Sequence, residues 1–362
     1  MSDFKPGLEG VVAFETEIAE PDRDGGALRY RGVDIEDLVG HIPFEKVWGL
    51  LVDGDPDKGL EPVEPVEVDG LTGDTPADLQ WVTARLSGLW DLQKVIDISD
   101  EQAEADLRRV SATMLSVAAQ SARLADGHKS KVPAGLVAQG KTVAERFLLE
   151  WRGEADPRHV EAIDTYWICA AEHGLNASTF TARVVTSTGA DCAAALSSAV
   201  GALSGPLHGG APARVLPMLD AAAAADSVES YLVNLLDSGE RLMGFGHRVY
   251  RAEDPRARLL RGTSKKLGSP RFDVAEELEN VALAELHRRK PDRVLATNVE
   301  FWSAVVLDVA GVPAQLAPAM FGCSRTAGWS AHILEQKRLA RLVRPSAKYV
   351  GPAPRSLASV KS

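Results

Sequence analysis

Apolar residues recur at spacings of three and four along most of this chain, which is the pattern of amphipathic α-helices. Thr75-Pro76 supplies a helix cap followed by a first-turn proline, and apolar residues then repeat as far as Leu92. The same periodicity predicts helices at 101–125, 142–151, 157–172, 191–204, 227–238, 273–289, 300–309 and 327–342. Alternating strand patterns are nearly absent, with a single candidate at 11–15. The pattern therefore predicts an all-α protein.

Two stretches near the start of the chain are less regular. Residues 27–51 are predicted to form two short helices, the first capped by Asp34 and ended by Gly40. Residues 52–74 carry eight carboxylates and one lysine among prolines and glycines, which is typical of an exposed connection. From Gly351 onward we expect a loose tail.

The composition is that of a soluble globular protein. With 362 residues, 45% hydrophobic and 25% charged, the chain can form one or two domains. Cys169, Cys192 and Cys323 lack the spacing of metal or redox motifs, so we expect buried thiols in a reducing compartment. Neither a secretory signal nor an apolar run of about 18 residues is visible, and we therefore expect a cytoplasmic location and no membrane partner.

The charge distribution is uneven. A net charge of −11 argues against nucleic acid or an anionic membrane as a partner. Residues 247–271 nevertheless contain eight Lys or Arg residues against Glu253 and Asp254. In an acidic protein, such a local positive field would concentrate a small anion. The alternative is a solvated basic face of a helix.

Two histidines in glycine-rich segments are the first candidates for chemistry. His208 lies in the segment Gly-Pro-Leu-His-Gly-Gly-Ala, and His247 lies in Gly-Phe-Gly-His-Arg-Val-Tyr. A histidine on such a bend has little side-chain cover, so a ligand can approach it closely. Arg248, Arg251 and Arg256 follow, and their planar guanidinium groups suit carboxylates and phosphates. Together these residues indicate proton transfer on an anionic substrate. Two glycine turns with surface histidines are the alternative.

Two further stretches contribute polar groups. The end of a predicted helix carries a set that can act as a cap, as a site, or as both: His173, Asn176, Ser178, Thr179 and Arg183. Glu300 lies between apolar residues, and a carboxyl group that is buried in a cleft gains proton affinity, which suits a general base. A glutamate in the first turn of a helix at 300–309 is the structural alternative.

Several common motifs are tempting but incomplete. Residues 135–142 match the phosphate-loop pattern, yet the preceding residues 128–133 do not form the buried strand that this loop requires. The segment His208-Gly209-Gly210 is similar to the oxyanion loop of lipases, but the chain lacks a Gly-x-Ser-x-Gly nucleophile motif. Residues 244–246 lack the third glycine of a dinucleotide fingerprint, and there is no His-Glu-x-x-His. The sequence therefore predicts neither a nicotinamide site nor a metal site.

The combined motifs resemble those of the citrate synthase family, and they occur in the family's order from about residue 9 to about residue 350. The matching segments are Leu-Arg-Tyr-Arg-Gly-Val-Asp-Ile from Leu28, His-Gly-Leu-Asn-Ala-Ser from His173, the two histidine segments, Asp254-Pro-Arg, Asn-Val-Glu-Phe from Asn298 and Ser-Arg-Thr-Ala-Gly-Trp from Ser324.

This resemblance implies an all-helical fold with two domains. The large domain would comprise 1–210 and 313–362, and a smaller mobile domain at 211–312 would close over the substrates. Because the chain lacks the extra N-terminal region of the longer hexameric members, the resemblance implies a homodimer with two active sites.

The resemblance also implies which residues hold the substrates. In the family, oxaloacetate binds first and arginines hold its carboxylates. Those arginines would be Arg256, Arg325 and, from the partner subunit, Arg344, with His173 as a further contact. Arg251 would meet a phosphate of coenzyme A. Charge-assisted pairs of this kind suit carboxylates that are desolvated in a closed site.

Three residues are implied in the chemistry itself. Glu300 would remove a methyl proton from acetyl-CoA, and His208 would donate a hydrogen bond to the enolate oxygen that forms. His247 would polarise the keto oxygen of oxaloacetate and protonate the new alkoxide. The coenzyme A thioester is a co-substrate, and the resemblance implies no permanently bound cofactor.

One departure from the family pattern matters, because the base is normally aspartate and here it is Glu300. The added methylene shifts the carboxylate, and a misplacement of about 1 Å can cost ~100-fold in rate. The main expectation remains an active citrate synthase. The second is a 2-methylcitrate synthase that uses propionyl-CoA, since one methyl group is weakly discriminated. The third is a ligand-binding homologue with little or no turnover.

Overall fold

The fold is all-helical apart from one small sheet. A computed structural model describes residues 4–22, 24, 26–206, 208, 214–240, 242–246, 253–292 and 295–356. Within these ranges the only sheet has three short antiparallel strands in the order β1 (Ala19–Asp22), β2 (Ala27–Tyr30) and β3 (Val33–Asp34). Its register pairs Ala19 with Tyr30 and Arg29 with Asp34. The predicted all-α class is confirmed.

The helices of the described ranges follow one another with short connections. They are α1 (Phe44–Asp53), α2 (Thr75–Leu89), α3 (Asp100–Ala125), α4 (Ala134–Val137), α5 (Val143–Arg152), α6 (Pro157–Ala170), α7 (Ala177–Ser187), α8 (Cys192–Leu203), α9 (Val215–Ala224), α10 (Val228–Asp237), α11 (Pro255–Lys266), α12 (Phe272–Arg289), α13 (Val299–Val309) and α14 (Ala317–Leu339). Short 3₁₀-helices lie at Pro6–Leu8, Ile35–Asp37, Pro56–Lys58 and Ala314–Leu316.

Several local predictions were wrong, each for a physical reason. Residues 27–30, the start of the range predicted to form two short helices, instead form β2, whose side chains alternate between partly and fully buried over only four residues. The first helix of that range is the 3₁₀-helix Ile35–Asp37, and Asp34 caps it as predicted by accepting the amide of Glu36 at 3.1 Å. No strand forms at 11–15. The cap of α2 is Asp74, whose carboxylate accepts the amide hydrogen of Ala77 at 3.3 Å, rather than Thr75. α14 begins well before 327 because it is buried on nearly all sides, so no apolar stripe marks its first half.

The acidic segment 52–74 was predicted to be exposed, but only ten of its 23 residues are exposed and both of its ends are held against the rest of the fold. Leu60 is only 1% exposed and packs into the core. Asp78 accepts hydrogen bonds from the backbone amides of Thr72 at 3.0 Å and Gly73 at 2.9 Å. Burial alone would raise the pKa of Asp78, but hydrogen bonds from Ser121, Thr72 and their neighbours hold it below its usual value. The connection therefore has a fixed course over the surface.

Helix α6 lies at the centre of the packing. α1, α5, α11, α13 and α14 all contact it. Trp167 on α6 is fully buried, with the rings of Phe44 and Phe147 each 5.4 Å away between centroids. Burial of one such side chain contributes about 1.5–3 kcal/mol relative to exposure. The C-terminal end of α6 is therefore a rigid platform, and the residues that follow it begin the candidate site.

The cysteine prediction is confirmed where the structure tests it. Cys169, Cys192 and Cys323 are fully buried free thiols. No helix in the described part of the chain has the length and apolar character needed to span a bilayer. The expected cytoplasmic location stays a prediction.

A buried carboxyl group on α5 makes the stability depend on pH. Glu150 is 6% exposed and accepts a hydrogen bond from Ser116 Oγ at 2.8 Å, and burial raises its pKa to about 7. Because the folded state binds this proton more tightly than the unfolded state, the resulting stability is complete below the unfolded pKa near 4.5 and is lost as the pH rises through about 7.

We therefore expect Glu150→Gln to be more stable than the parent by about 3 kcal/mol above about pH 8, with the difference fading below about pH 5. Denaturant unfolding at the two pH values measures this, and the exposed Glu64 supplies a matched Glu→Gln control. An equal difference at both pH values would contradict the assignment.

Candidate active site

Side chains from four helices converge near the C-terminal end of α6. Tyr166 on α6 is 2% exposed, and burial raises the pKa of its phenol. The charges of Arg325, Glu300 and Arg256 act on the same phenol group, although these residues lie on α14, α13 and α11. The fold therefore brings together three of the predicted site residues.

Arg325 is a buried cation with an unfilled donor. It is 3% exposed, and its Nε donates to the carbonyl oxygen of Ala170 at 2.6 Å. The guanidinium carbon lies 4.7 Å from the centroid of the Phe321 ring. Within the described residues, Nη1 has no hydrogen-bond partner. Burial lowers the pKa of Arg325, and the charge of Glu172 opposes that shift. An anion placed at Nη1 would satisfy this group.

Arg256 is held by the carboxylate that caps its own helix. Asp254 accepts the backbone amide of Arg256 at 3.1 Å, and its two oxygens accept Nε at 2.9 Å and Nη2 at 2.7 Å. Both side chains are almost completely buried. The same carboxylate also accepts the amide of Val299 at 3.2 Å, at the start of α13. Asp254 therefore joins the guanidinium of Arg256 to the helix that carries Glu300.

Glu300 lies in the first turn of α13 and is half-buried rather than enclosed between apolar side chains. Asn298 is the N-cap, and its Oδ1 accepts the backbone amide of Glu300 at 3.0 Å. The positive end of the helix dipole at this position favours the ionised carboxylate. The prediction that Glu300 lies in the first turn of a helix is therefore correct. Its carboxylate lies at the edge of the cluster.

A backbone pairing sets the position of this helix start. Gly246 N donates to Ala296 O at 2.8 Å, Asn298 N donates to Gly244 O at 2.9 Å, and Phe245 pairs with Thr297 in an antiparallel bridge. The residues just before His247 thus lie beside those just before Glu300. His247 and Arg251 themselves are outside the described residues.

Gly244 shows why this pairing needs a glycine. Its φ is +84°, a left-handed conformation that other residues rarely adopt. A Cβ added at this position would lie 2.7 Å from Cβ of Phe301. The first glycine of the histidine segment therefore permits close packing against α13.

His208 is a neutral histidine at the edge of the cluster. Its Nε2 lies 2.9 Å from Ser178 Oγ, and its ring meets the Phe321 ring edge-on at 6.0 Å. Burial lowers its pKa to about 4, and the positive charge of Arg325 acts in the same direction. At neutral pH the imidazole therefore carries one hydrogen, which it can donate from only one nitrogen.

Ser178 connects His208 to the start of α7. Its Oγ receives a hydrogen bond from Trp329 Nε1 at 3.1 Å and lies 2.8 Å from Asn176 Oδ1. Asn176 caps α7 by accepting the amide of Thr179 at 3.1 Å, so the cap interpretation of this stretch is correct. The single hydroxyl hydrogen of Ser178 has two acceptors in reach, Asn176 Oδ1 and His208 Nε2. Its choice between them sets the tautomer of His208.

The stretch after α6 is packed tightly against α14. His173 is half-buried, whereas the preceding Glu172 is fully buried. The amide of Gly328 donates to Ala171 O at 3.2 Å, and a Cβ on Gly328 would lie 2.0 Å from Glu172 Oε2. Arg183 is 1% exposed and donates to His332 Nδ1 at 2.9 Å. In this chain Arg183 is therefore part of a buried network under the site.

Arg344 is different from the other predicted arginines because it is exposed. It lies in the irregular segment after α14, which is anchored by a hydrogen bond from the amide of Val343 to Ser187 Oγ at 3.0 Å. Within one chain, Arg344 is therefore not part of the buried cluster.

The phosphate-loop match at 135–142 is not a nucleotide site. The residues before it form no strand, and part of the loop is the short helix α4. The start of α5 is already satisfied, because Thr142 Oγ1 accepts the amide of Glu145 at 3.1 Å while Glu145 Oε2 accepts that of Lys141 at 2.6 Å. These two bonds occupy the amides of Lys141 and Glu145, which are therefore not available to a phosphate.

The sequence suggested no role for Tyr166 or Asp254, and it indicated Ser178 only as one of a polar set that can act as a cap, as a site, or as both. Asp254 and Ser178 lie in the same sequence motifs as Arg256 and His173. That position in the sequence could have identified them as site residues. Tyr166 lies in an ordinary helical pattern, and nothing in the sequence distinguishes it from a core residue.

Comparisons with known proteins find relatives that match nearly the whole chain. The family model described as "Citrate synthase, C-terminal domain" matches residues 7–346. "Putative citrate synthase 2" of Mycobacterium tuberculosis (strain ATCC 25618 / H37Rv) is 61% identical over 359 residues, which are 99% of this chain and 96% of that protein. The 2-methylcitrate synthase of Shewanella oneidensis is 32% identical, with 99% of this chain and 98% of that protein covered.

The fold also matches a solved structure, that of citrate synthase from Thermoplasma acidophilum in ternary complex with carboxymethyl coenzyme A and oxaloacetate. The TM-score is 0.75 at 26% sequence identity, and 99% of this chain and 100% of that chain are covered. Sequence, fold and the order of the site motifs lead to one conclusion: the chain belongs to the citrate synthase family of condensing enzymes.

Proposed function

We propose that the chain condenses acetyl-CoA with oxaloacetate and hydrolyses the resulting citryl thioester to citrate and coenzyme A. The observation that carries this proposal is the convergence of two buried arginines, a carboxylate at a helix start and a neutral histidine. A dicarboxylate needs the two arginines. Removal of a weakly acidic proton needs the carboxylate as a base and the histidine as a hydrogen-bond donor.

Oxaloacetate is proposed to bind first, with its carboxylates held by Arg325 and Arg256 and with His173 as a further contact. Support comes from the open Nη1 of Arg325, which lies in a buried environment where a charge-assisted hydrogen bond is strong. Asp254 links Arg256 to α13, so a carboxylate that engages Arg256 would also affect the start of the helix that carries Glu300.

The condensation is proposed to begin when Glu300 takes a methyl proton from acetyl-CoA. The electron pair moves onto the thioester carbonyl oxygen, to which His208 donates a hydrogen bond. The enolate carbon then attacks the keto carbon of oxaloacetate, and His247 protonates the alkoxide, as the resemblance implies. Arg251 would meet a coenzyme A phosphate. A neutral His208 suits its role because a preformed donor needs no change in protonation during the step.

For this role, Ser178 must donate its hydrogen to Nε2 of His208, which leaves the donor on Nδ1. We expect Ser178→Ala to lower kcat on the order of 10²-fold, with oxaloacetate affinity nearly unchanged, because one preorganised donor is misplaced. Nitrogen-15 NMR shifts of the histidine rings report the tautomer directly. A neutral His208 protonated on Nε2 in the parent protein would contradict the assignment.

The choice of thioester is the open specificity question. Citrate synthase is the first proposal, and 2-methylcitrate synthase is the second, which the relative in Shewanella oneidensis favours. Thiol release with oxaloacetate and either acetyl-CoA or propionyl-CoA separates the two. Absence of release with both thioesters, together with intact oxaloacetate binding, would leave only a ligand-binding homologue.

We also propose two domains with the bounds that the resemblance implies, 1–210 and 313–362 for the large domain and 211–312 for the small one. The small domain would carry Glu300 and Arg256, and the large domain would carry Arg325 and His208. α11 and α13 both pack against α6, so the cluster lies where the proposed domains meet. Closure of the small domain would exclude water from the reacting groups.

A homodimer is proposed in which Arg344 completes the partner's site. The exposed apolar residues include several that a partner could cover, among them Leu89 and Ile96 and, in the C-terminal segment, Leu342 and Tyr349. Exposure of Arg344 in the single chain fits this arrangement.

Subunit mixing tests the shared site. We expect Arg344→Ala and Glu300→Gln homodimers each to be nearly inactive. Coexpression should restore activity, because one site of the hybrid combines an intact Glu300 with an intact Arg344 from the other chain. Thiol release by the purified hybrid is the measurement. A monomeric mass in solution, or no recovery in a verified hybrid, would contradict the proposal.

A further inference from the structure

A cavity lies at the C-terminal end of α3, formed by residues that the proposed reaction does not use. Its volume is about 200 Å³, and its sides are formed by Pro65 and residues 68–71 and 128–132. Gln120 from α3 and Glu150 from α5 also line it. This volume is below the roughly 300–1,000 Å³ of pockets for drug-sized ligands, so the cavity suits a compact metabolite.

The buried lining of the cavity contains an acceptor with no donor. Gln120 is 7% exposed, and its Nε2 donates to Val66 O at 3.0 Å and to Ser116 Oγ at 3.2 Å. This fixes the orientation of the amide, and among the described residues its Oε1 has no hydrogen-bond partner. The hydroxyl of Ser116 is already used on Glu150. A ligand that presents hydrogen-bond donors here would satisfy a group that is otherwise left unpaired.

The exposed part of the cavity lining is mainly basic. Three basic residues, His128, Lys129 and Lys131, and one acidic residue, Asp69, are exposed and line the cavity, in a chain whose net charge is −11. Lys131 Nζ lies 3.8 Å from Glu67 Oε1, at the outer limit of an ion pair. Arg123 is engaged in holding the loop, since its Nε donates to Ser130 O at 2.6 Å and its Nη1 to Trp151 O at 3.0 Å. The lysines therefore remain available to an anion.

We propose that this cavity binds an α-amino acid with an acidic side chain, with its ammonium group at Gln120 Oε1 and Glu150 and its carboxylates at Lys129 and Lys131. An ammonium group has three donors and adds a second positive charge near Glu150, on which the charge of Lys131 already acts. A diacid without an amine would leave Gln120 unpaired and would face the carboxyl of Glu150. A diamine would be repelled by the lysines. Only a ligand with both groups matches both parts of the lining.

Calorimetric titration of the full-length protein tests this with L-glutamate and L-aspartate as probes. Glutarate and succinate are the matched diacids without an amine, and 1,5-diaminopentane is the matched diamine. We expect saturable binding at millimolar concentrations for the amino acids alone. No binding of either amino acid, or equal binding of the diacids, would overturn the proposal. Because the titration needs no turnover, its outcome is independent of the proposed condensation.

Two variants assign the binding to this cavity. Gln120→Leu removes the acceptor at similar size and should weaken binding about tenfold or more. The double variant Lys129→Gln and Lys131→Gln should weaken it comparably, and both of its positions are exposed, so the fold does not depend on them. Lys290→Gln, at an exposed position outside the cavity lining, is the control. Parent-like affinity in the lysine double variant, with the native circular dichroism spectrum, would overturn the assignment.

Discussion

Replacement of Glu300 by glutamine is expected to lower kcat for thiol release by about 10²–10⁴-fold while oxaloacetate still binds, because the carboxylate that takes the methyl proton is lost. Glutamine retains the size of the side chain. The helix start is also retained, since Asn298 holds the backbone amide of residue 300 rather than its side chain. Single-turnover thiol release with acetyl-CoA measures the chemical step, and calorimetry measures oxaloacetate binding.

Glu300→Asp keeps the carboxylate and changes only its position, so this variant tests the geometry of the base. Because Asn298 and Asp254 fix the start of α13 through its backbone, a shorter side chain withdraws the carboxylate by about 1 Å, and we expect a loss of up to ~100-fold. A gain in rate would show instead that the longer side chain is a handicap in this chain. A Glu300→Gln protein as active as the parent would show that another group is the base.

The helices were predictable where one face is apolar and the other is polar. α3, α5 and α10 were expected within about two residues of their bounds because burial follows a stripe in each. α14 was expected too late because the stripe disappears when a helix is enclosed on nearly all sides. α11 was not among the helices predicted from apolar spacing, because its basic residues were interpreted as a field that attracts an anion, with the solvated basic face of a helix only as the alternative. Burial in the fold, rather than local pattern, determines these two cases.

The residues of the proposed site could be named from the sequence, but the contacts between them could not. Motif resemblance identified Arg325, Glu300 and His208, and the fold places the first two close enough to Tyr166 for their charges to act on it. The pairing of Asp254 with both Arg256 and the amide of Val299 could not be predicted, because it depends on how α11 meets α13. Local sequence patterns carry no information about such crossings. Arg344 could not be assigned from one chain, since its proposed role lies in the partner's site.

The electrostatics of the site explain why these contacts matter. Arg256 and Arg325 are buried to about the same extent, and their guanidinium groups would repel each other without nearby carboxylates. Asp254 accompanies Arg256 directly, and Glu172 acts on Arg325. Oxaloacetate would bring two further negative charges to a region that has donors ready for them. Binding energy can thus be gained without rearranging the buried carboxylates.

Arg325→Met is accordingly expected to weaken oxaloacetate binding by about 2–5 kcal/mol, or roughly 30-fold to several thousand-fold, because a buried carboxylate of the substrate would lose its charged partner. Methionine fills most of the space of the aliphatic stem, so loss of packing is small. Calorimetric titration with oxaloacetate measures the affinity, and thiol release at saturating oxaloacetate separates an effect on binding from one on kcat.

Removal of Arg325 also leaves Glu172 without its nearby positive charge, so stability must be controlled separately. The double variant Arg325→Met and Glu172→Gln should regain most of any lost stability without regaining affinity for oxaloacetate. Arg325→Lys keeps the charge but not the planar group that donates to Ala170 O, and we expect it to bind oxaloacetate with intermediate affinity. Arg288, an exposed arginine on α12, provides a matched Arg→Met control. Unchanged oxaloacetate affinity in a folded Arg325→Met protein would show that other groups hold the carboxylates, and the proposed substrate site would then have to lie elsewhere.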